Sequence, residues 1–207
     1  MQWAVLDSKR RAVLPVLSFT KGEGFYLAGG TALALRLGHR ESIDFDFFKS
    51  EPFDPQGLLG VVEAAFVGHT PIVVQQDKFT LTVLADETIK MSFFGYRYPL
   101  LQTPEETPHF LIAGIRDIAA RKLVAIVGRS LEKDYVDLFY LLQHMALSDL
   151  LADARKKMPS LDPQVILKAL VYFDDVEREE LVFRKGYAVA FETVQESLQA
   201  HVRELVL

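Results

Sequence analysis

The sequence predicts an α+β protein in which strands come first and helices follow. Two observations carry this. Short apolar or alternating segments fill the stretch up to about residue 95, whereas helical spacing of apolar residues dominates from about residue 111. Between them lies "YRYPLLQTPEETPHF", a proline-rich connector and the candidate boundary. The expected division is an α/β core over residues 1–110 and a helical region over 111–207, packed on the core as one compact unit.

Each element has its own signal. "SKRRAVLPVLSF" has helical character interrupted at Pro15, whose ring cannot continue a helix. "EGFYLAGG" gives a short buried strand at 25–28, stopped by Gly29 and Gly30. "TALALRLG" follows as a short helix, with Thr31 as its expected N-cap and Gly38 as its stop. "SIDFDFF" alternates and reads as a strand, and "FDPQGLLGVVEAAF" reads as a helix with Pro55 in its first turn. "KFTLTVL" and "TIKMSFF" flank "ADE" as a hairpin. After the connector come helices in "IRDIAARKLVAIVG", "SLEKDYVDLFYLLQHM" and "DPQVILKALVYF", and a last one from about residue 187. That last helix puts Phe191, Val194, Leu198, Val202 and Leu205 on one stripe, expected to pack on the helical half.

Composition narrows the class. The chain has 207 residues, half of them hydrophobic and 25% charged, ordinary for a globular protein with a real core. It has no cysteine, which excludes disulfides and thiolate metal sites and suggests a cytoplasmic location. No apolar run is long enough to span a membrane, and "MQWAVLDSKRR" lacks the order of a secretory leader. A formal net charge of −5 argues against an extended nucleic-acid footprint.

The chemistry concentrates in "GGTALALRLGHRESIDFDFF", residues 29–48. In a strand, Ile43, Phe45 and Phe47 share one face, expected in the core, while Asp44, Asp46 and Phe48 share the other. Carboxylates two positions apart lie about 6.5–7 Å apart along a strand, close enough to grip one cation. Hard oxygen ligands suit Mg²⁺ (or Mn²⁺), which relieves the repulsion of two neighbouring acids and keeps positions for water and phosphate. Gly29 and Gly30 let the backbone approach a phosphate, and the helix N-terminus behind them favours an anion. The Thr31 hydroxyl can cap that helix or donate to a phosphate oxygen. Alone, an Asp-x-Asp is usually a solvated face and a Gly-Gly usually a turn. In this order, they form equipment for holding a nucleoside triphosphate (NTP) with its metal.

This stretch resembles the first motif of the nucleotidyltransferase-fold superfamily. The fuller pattern, "GGTALAL", "GHR" and "S-x-D-x-D-x-F", is similar to the AbiEii/AbiGii toxin family of type IV toxin–antitoxin systems. The likeness continues through "IKMSFFGYRYPLL" and "DIAARKLVAIVGRSLEKDYVDLFYLL" and weakens in the last third, where "LVYFDDVE" is a further echo. It implies a nucleotidyltransferase-like mixed sheet flanked by helices. It also implies transfer of a nucleoside monophosphate from an NTP to a tRNA 3′ end or a protein hydroxyl, with a cognate antitoxin protein as partner. By the same resemblance, Asp44 and Asp46 are the metal ligands, and Gly29, Gly30 and Thr31 hold the phosphates. Lys122 neutralises phosphate charge, with Asp134 the acidic position after it and Asp137 on the same helical face.

For several of these residues a plainer role stands beside the implied one. Lys122 borders an apolar stripe of Ile118 and Ile126 and can carry its charge to water along it. Asp134 can belong to a charged first turn capped by Ser130. Arg121 is explained by surface pairing with Asp117. His39 and Arg40 precede the metal strand and can touch phosphate, or Arg40 can pair with Glu41 or the aspartates.

One departure from the resembled pattern matters. Many active nucleotidyltransferases carry a third carboxylate on the neighbouring strand. Here that strand is "TIKMSFFGY", with Lys90, Ser92 and Phe94 outward and Ile89, Met91 and Phe93 inward. The alternatives are a single metal with another base, a contribution from Glu87 or Asp134, or a catalytically inactive module that binds nucleotide or a partner protein on the same fold.

Overall fold

The computed structural model describes residues 1–86 and 88–206. Its backbone forms two compact units, one of residues 1–99 and 103–114, the other of residues 100–102 and 115–207.

The first unit is built on a mixed sheet. Its elements are α1 (Ser8–Val13), α2 (Phe19–Gly22), β1 (Tyr26–Ala28), α3 (Gly29–Leu37), β2 (Phe45–Lys49), α4 (Pro55–Ala65), β3 (Ile72–Asp77), β4 (Thr80–Leu84), β5 (Lys90–Gly95), β6 (Glu105–Glu106) and β7 (Leu111–Ile112). Among the described residues the strand order is β3-β4-β5-β2-β1-β7-β6. β2 runs antiparallel to β1 and parallel to β5. In register, Phe45 stands beside Met91, Asp46 beside Ser92 and Phe47 beside Phe93. Phe45, Phe47, Met91 and Phe93 are fully buried, and the Phe47 and Phe93 rings stack at 5.4 Å. Phe25 meets Phe93 edge-on at 5.3 Å, so aromatic rings from three segments share this core.

The local signals worked as the chemistry of each residue suggests. Asp54 caps α4 by accepting from the N–H groups of Gln56 and Gly57, with Pro55 in the first turn where no N–H is needed. α3 ends at Gly38, which adopts φ +76° and donates its N–H to Ala34 at 2.7 Å. α1 stops ahead of Pro15, as its ring requires. Two expectations are corrected. Ile43 precedes β2 rather than lying within it and is 57% exposed, so it is not part of the core. Thr31 does not cap α3: the helix begins at Gly29, and Thr31 lies inside its first turn.

Some of the strands carried no clear signal. β3 is an edge strand paired only with β4, with a bulge between Val73 and Gln75, and every residue of it is exposed. With neither face buried, "IVVQQD" shows no alternation. The connector also contributes β6, and β7 follows directly after it, both too short to announce themselves.

The second unit is helical: α5 (Ile115–Gly128), α6 (Glu132–Leu142), α7 (Leu147–Lys157), α8 (Pro163–Val171) and α9 (Phe191–Val206). α5 packs against α6, α7 and α8, and α9 packs against the same three. Leu123, Leu138, Leu141, Leu150, Leu170 and Leu198 are fully buried among them. Of the expected α9 stripe, Phe191, Val194 and Leu198 are buried, whereas Leu205 is exposed near the end. α7 was hidden in the sequence because its inward face includes Asp153 and Lys157, both buried, which thins its apolar stripe. No described helix is long and apolar enough to cross a membrane.

Candidate functional site

The glycine turn and the two aspartates are locked together by steric and hydrogen-bond constraints. β1 runs straight into the turn, and its last residue, Ala28, pairs across the sheet with Asp46. Gly29 has φ +73°, and a Cβ there would sit 2.7 Å from the Asp46 carboxylate. The left-handed conformation favours glycine, and any side chain there would also have to displace the Asp46 carboxylate. At Gly30 a Cβ would sit 2.8 Å from the Arg40 guanidinium. An acid and a base thus lie directly on the turn backbone. Arg40 is buried and donates to the Glu41 carbonyl at 3.0 Å, and His39 beside it is fully buried.

Asp44 is positioned through its backbone. The buried Thr31 hydroxyl donates to the Asp44 carbonyl oxygen and lies 2.8 Å from the Ser42 hydroxyl. One residue earlier, Arg10 of α1 donates to the Ile43 carbonyl at 2.5 Å, and also to Thr88 at 3.0 Å, in the loop that leads to β5. Arg10 is itself held by Asp7, the N-cap of α1. Burial opposes ionisation of the Asp7 carboxyl, but hydrogen bonds and charge from Arg10 outweigh it and hold its pKa below the usual carboxylate range. Reading the sequence missed Arg10 as a site-forming residue. Its only signal was membership of a basic cluster, and nothing local foretells a contact 33 residues away.

Lys90 is the other group on this surface. Lys90 and Asp44 immediately precede the paired residues Met91 and Phe45 of β5 and β2, and the Lys90 Nζ lies 3.6 Å from the Asp44 carboxylate. Beside Asp46, β5 offers Ser92, buried, whose hydroxyl accepts from Thr82 of β4 at 3.3 Å. Ile89, Met91 and Phe93 are buried as expected and Lys90 and Phe94 are half-buried, whereas Ser92, expected outward with them, is buried. Glu87 lies outside the described residues. Among the described residues no three His, Asp or Glu side chains converge as a metal cluster. The donor set is two hard carboxylates, both half-buried, next to a glycine turn. That chemistry fits one hard divalent ion whose remaining positions go to water and phosphate.

The second unit holds Lys122 and Asp134, apart from this group in the fold's own division. Lys122 of α5 does not send its charge to water: its Nζ lies 2.6 Å from Asp134 and 2.5 Å from Asp137, both fully buried on α6. Arg129 reaches the other Asp134 oxygen at 3.0 Å. Asp134 therefore joins Asp137 in gripping one ammonium between two helices. Ser130 is not the cap of α6; Leu131 occupies that position. Asp117 is buried rather than at the surface, accepting from the Leu101 and Gln102 N–H groups at 2.9 Å each and from Lys157 at 2.5 Å. Arg116 makes a two-pronged pair with buried Asp153 at 2.7 and 2.6 Å, and that hydrogen bonding raises its pKa further.

Comparison with known proteins adds context to this geometry. The family model described as "Nucleotidyl transferase AbiEii toxin, Type IV TA system" matches residues 17–205. A protein of Aquifex aeolicus (strain VF5), "Uncharacterized protein aq_aa25", is 40% identical over 202 residues, 95% of each chain. Among solved structures, a candidate nucleotidyltransferase from H. pylori is similar with a TM-score of 0.62 at 20% identity, over 95% of this chain and 93% of that one. MenT4, a nucleotidyltransferase toxin from Mycobacterium tuberculosis H37Rv, gives a TM-score of 0.59 at 20% identity, over 94% and 82%. At these identities the solved structures speak to the fold, which is that of nucleotidyltransferases.

Proposed function

The chain belongs to the AbiEii nucleotidyl transferase toxin family of type IV toxin–antitoxin systems, and from that premise we propose that it moves a nucleoside monophosphate from an NTP to an acceptor hydroxyl in a Mg²⁺-dependent reaction. The hydroxyl oxygen bonds to the α-phosphorus, the bond from that phosphorus to the bridging oxygen of the β-phosphate breaks, and pyrophosphate leaves. The hydroxyl proton passes to solvent. Mg²⁺, when bound, neutralises charge on the phosphate oxygens and orients them. The residues assigned to hold it are Asp44 and Asp46. Gly29 and Gly30 present backbone N–H groups at the start of α3, Arg40 adds a guanidinium beside the turn, and Thr31 keeps Asp44 in place. Lys122 is engaged with Asp134 and Asp137 inside the second unit, and no part in this step is assigned to it or to Asp134.

One observation carries the proposal: Gly29 takes a left-handed φ of +73°, and the place a side chain would occupy there lies against the Asp46 carboxylate. A mere turn beside a solvated strand has no need of that contact. The acidic balance of the chain favours an acceptor met at a small contact, such as a tRNA 3′ end or a protein hydroxyl, over extended duplex binding. A cognate antitoxin and a cytoplasmic site of action belong to the same proposal.

A second reading has its own support. Among the described residues the strand beside Asp46 supplies Ser92 instead of an acid, which favours a binding module without turnover. The experiment is incubation with Mg²⁺, α-labelled NTPs and total tRNA or cell protein. Transfer of label by the wild type, lost in Asp44→Ala and Asp46→Ala, is expected. Mg²⁺-dependent NTP binding with no transfer to any acceptor supports the binding module instead.

A further inference from the structure

We propose that the Asp44–Asp46 site takes one divalent cation per chain, and that the Lys90 ammonium supplies the fixed positive charge that a second ion supplies in two-metal sites. This rests on the nucleotidyl-transfer reading above. A two-metal clamp holds its ions about 3.5–4 Å apart and needs carboxylates enough to ligate and offset both. The neighbours of Asp46 across the sheet are known on each side. They are Ala28 on β1, which has no ligand atom in its side chain, and Ser92 on β5, a neutral hydroxyl already engaged by Thr82. Two positions back on β5, on the same face as Ser92, stands not an acid but a cation, Lys90, 3.6 Å from the Asp44 carboxylate.

Charge decides the matter. Two carboxylates, the Lys90 ammonium and the Arg40 guanidinium beside the turn sum to zero, so one divalent ion brings the group to plus two, a favourable setting for a triphosphate. A second ion would bring it to plus four, with no third carboxylate in the cluster among the described residues, and would sit against an ammonium. The backbone beneath this pair is tied as well: Arg10 donates to both the Ile43 and the Thr88 carbonyls, in the segments that lead to Asp44 and to Lys90. The side chains of Lys90 and Asp44 are 43% and 39% exposed, which leaves the pair open to an incoming phosphate.

The test is a Mn²⁺ titration of the full chain, counting bound ions from the paramagnetic resonance signal of free Mn²⁺, with Mn²⁺ alone as the probe. The wild type is expected to bind one ion per chain at this site, and Asp46→Asn none. Lys90→Met, which removes a competing cation at a half-exposed position, is expected to tighten Mn²⁺ binding about three- to tenfold, the size of one screened charge interaction. Two ions in the wild type would overturn the single-ion inference while leaving nucleotidyl transfer standing. Unchanged or weaker Mn²⁺ binding in Lys90→Met overturns the role of Lys90. No bound ion in the wild type, or an unaltered count in Asp46→Asn, removes the metal reading and this inference with it.

Discussion

Gly29 shows how far a single residue governs this site. Its φ of +73° disfavours any side chain, and a Cβ there would meet the Asp46 carboxylate at 2.7 Å. Gly29→Ala is expected to cost about 1–3 kcal/mol in thermal or denaturant unfolding through backbone strain, and to abolish Mn²⁺ binding by pushing Asp46 away. Thr31→Val makes a cleaner probe, since it keeps the shape and removes the bonds to Asp44 and Ser42. Its unfolding midpoint should shift by only a few degrees, as expected for loss of about 1–2 kcal/mol, while NTP affinity in the presence of Mg²⁺ falls about tenfold as the Asp44 loop loosens. Normal affinity in Thr31→Val would show that Asp44 needs no such tether. Of these residues, Asp44, Asp46 and the glycines were legible in the sequence, because alternation and backbone freedom are local properties. Arg10 and the Lys90–Asp44 pair were not: both depend on which distant strands become neighbours. Ile43 misled for a related reason, since alternation says which faces residues take but not where the strand begins.

At the level of elements, α5 and α6 are joined by a buried charge cluster rather than by apolar packing alone. Lys122 lies between Asp134 and Asp137, and removing it leaves two carboxylates buried without their shared cation. Lys122→Met should destabilise the protein by about 3–5 kcal/mol, and combining it with Asp134→Asn and Asp137→Asn should recover part of that loss. If Lys122→Met alone is neutral in urea unfolding, the cluster is not holding these helices together. The same helix offers a pH test. Burial raises the pKa of Tyr135 above its ordinary value of about 10, and the Asp134 charge adds to this against an opposing hydrogen bond. A raised pKa means the folded state keeps its proton after the unfolded state has released it. The stabilisation is therefore full below about pH 10 and declines as pH rises from there through the folded value. Tyr135→Phe should flatten that alkaline decline, measured as unfolding free energy against pH. The helices around this cluster were readable because their apolar stripes are wide. α7 was not, because Asp153 and Lys157 interrupt its inward face, and β3 was not, because an edge strand exposed on both sides has no pattern to show.

For the whole molecule, strands before helices gave the α+β class, and the sheet of the first unit and the helices of the second follow that order. The family match over residues 17–205 agrees with motifs that the sequence displays openly in "GGT" and "DFD". What the sequence could not convey was the strand order, and so which residues flank the aspartates. The net charge of −5 also belongs to this scale. If the acceptor is an RNA end, its binding should weaken only modestly between about 50 and 200 mM salt, because few phosphates are neutralised. The central claim is that Asp44 and Asp46 hold an NTP through a divalent ion. Equilibrium binding of NTPs with and without Mg²⁺, in the wild type and in Asp46→Asn, tests it most directly. The account predicts NTP binding that requires Mg²⁺ and is lost in the variant. Binding that ignores both the metal and the substitution would contradict it.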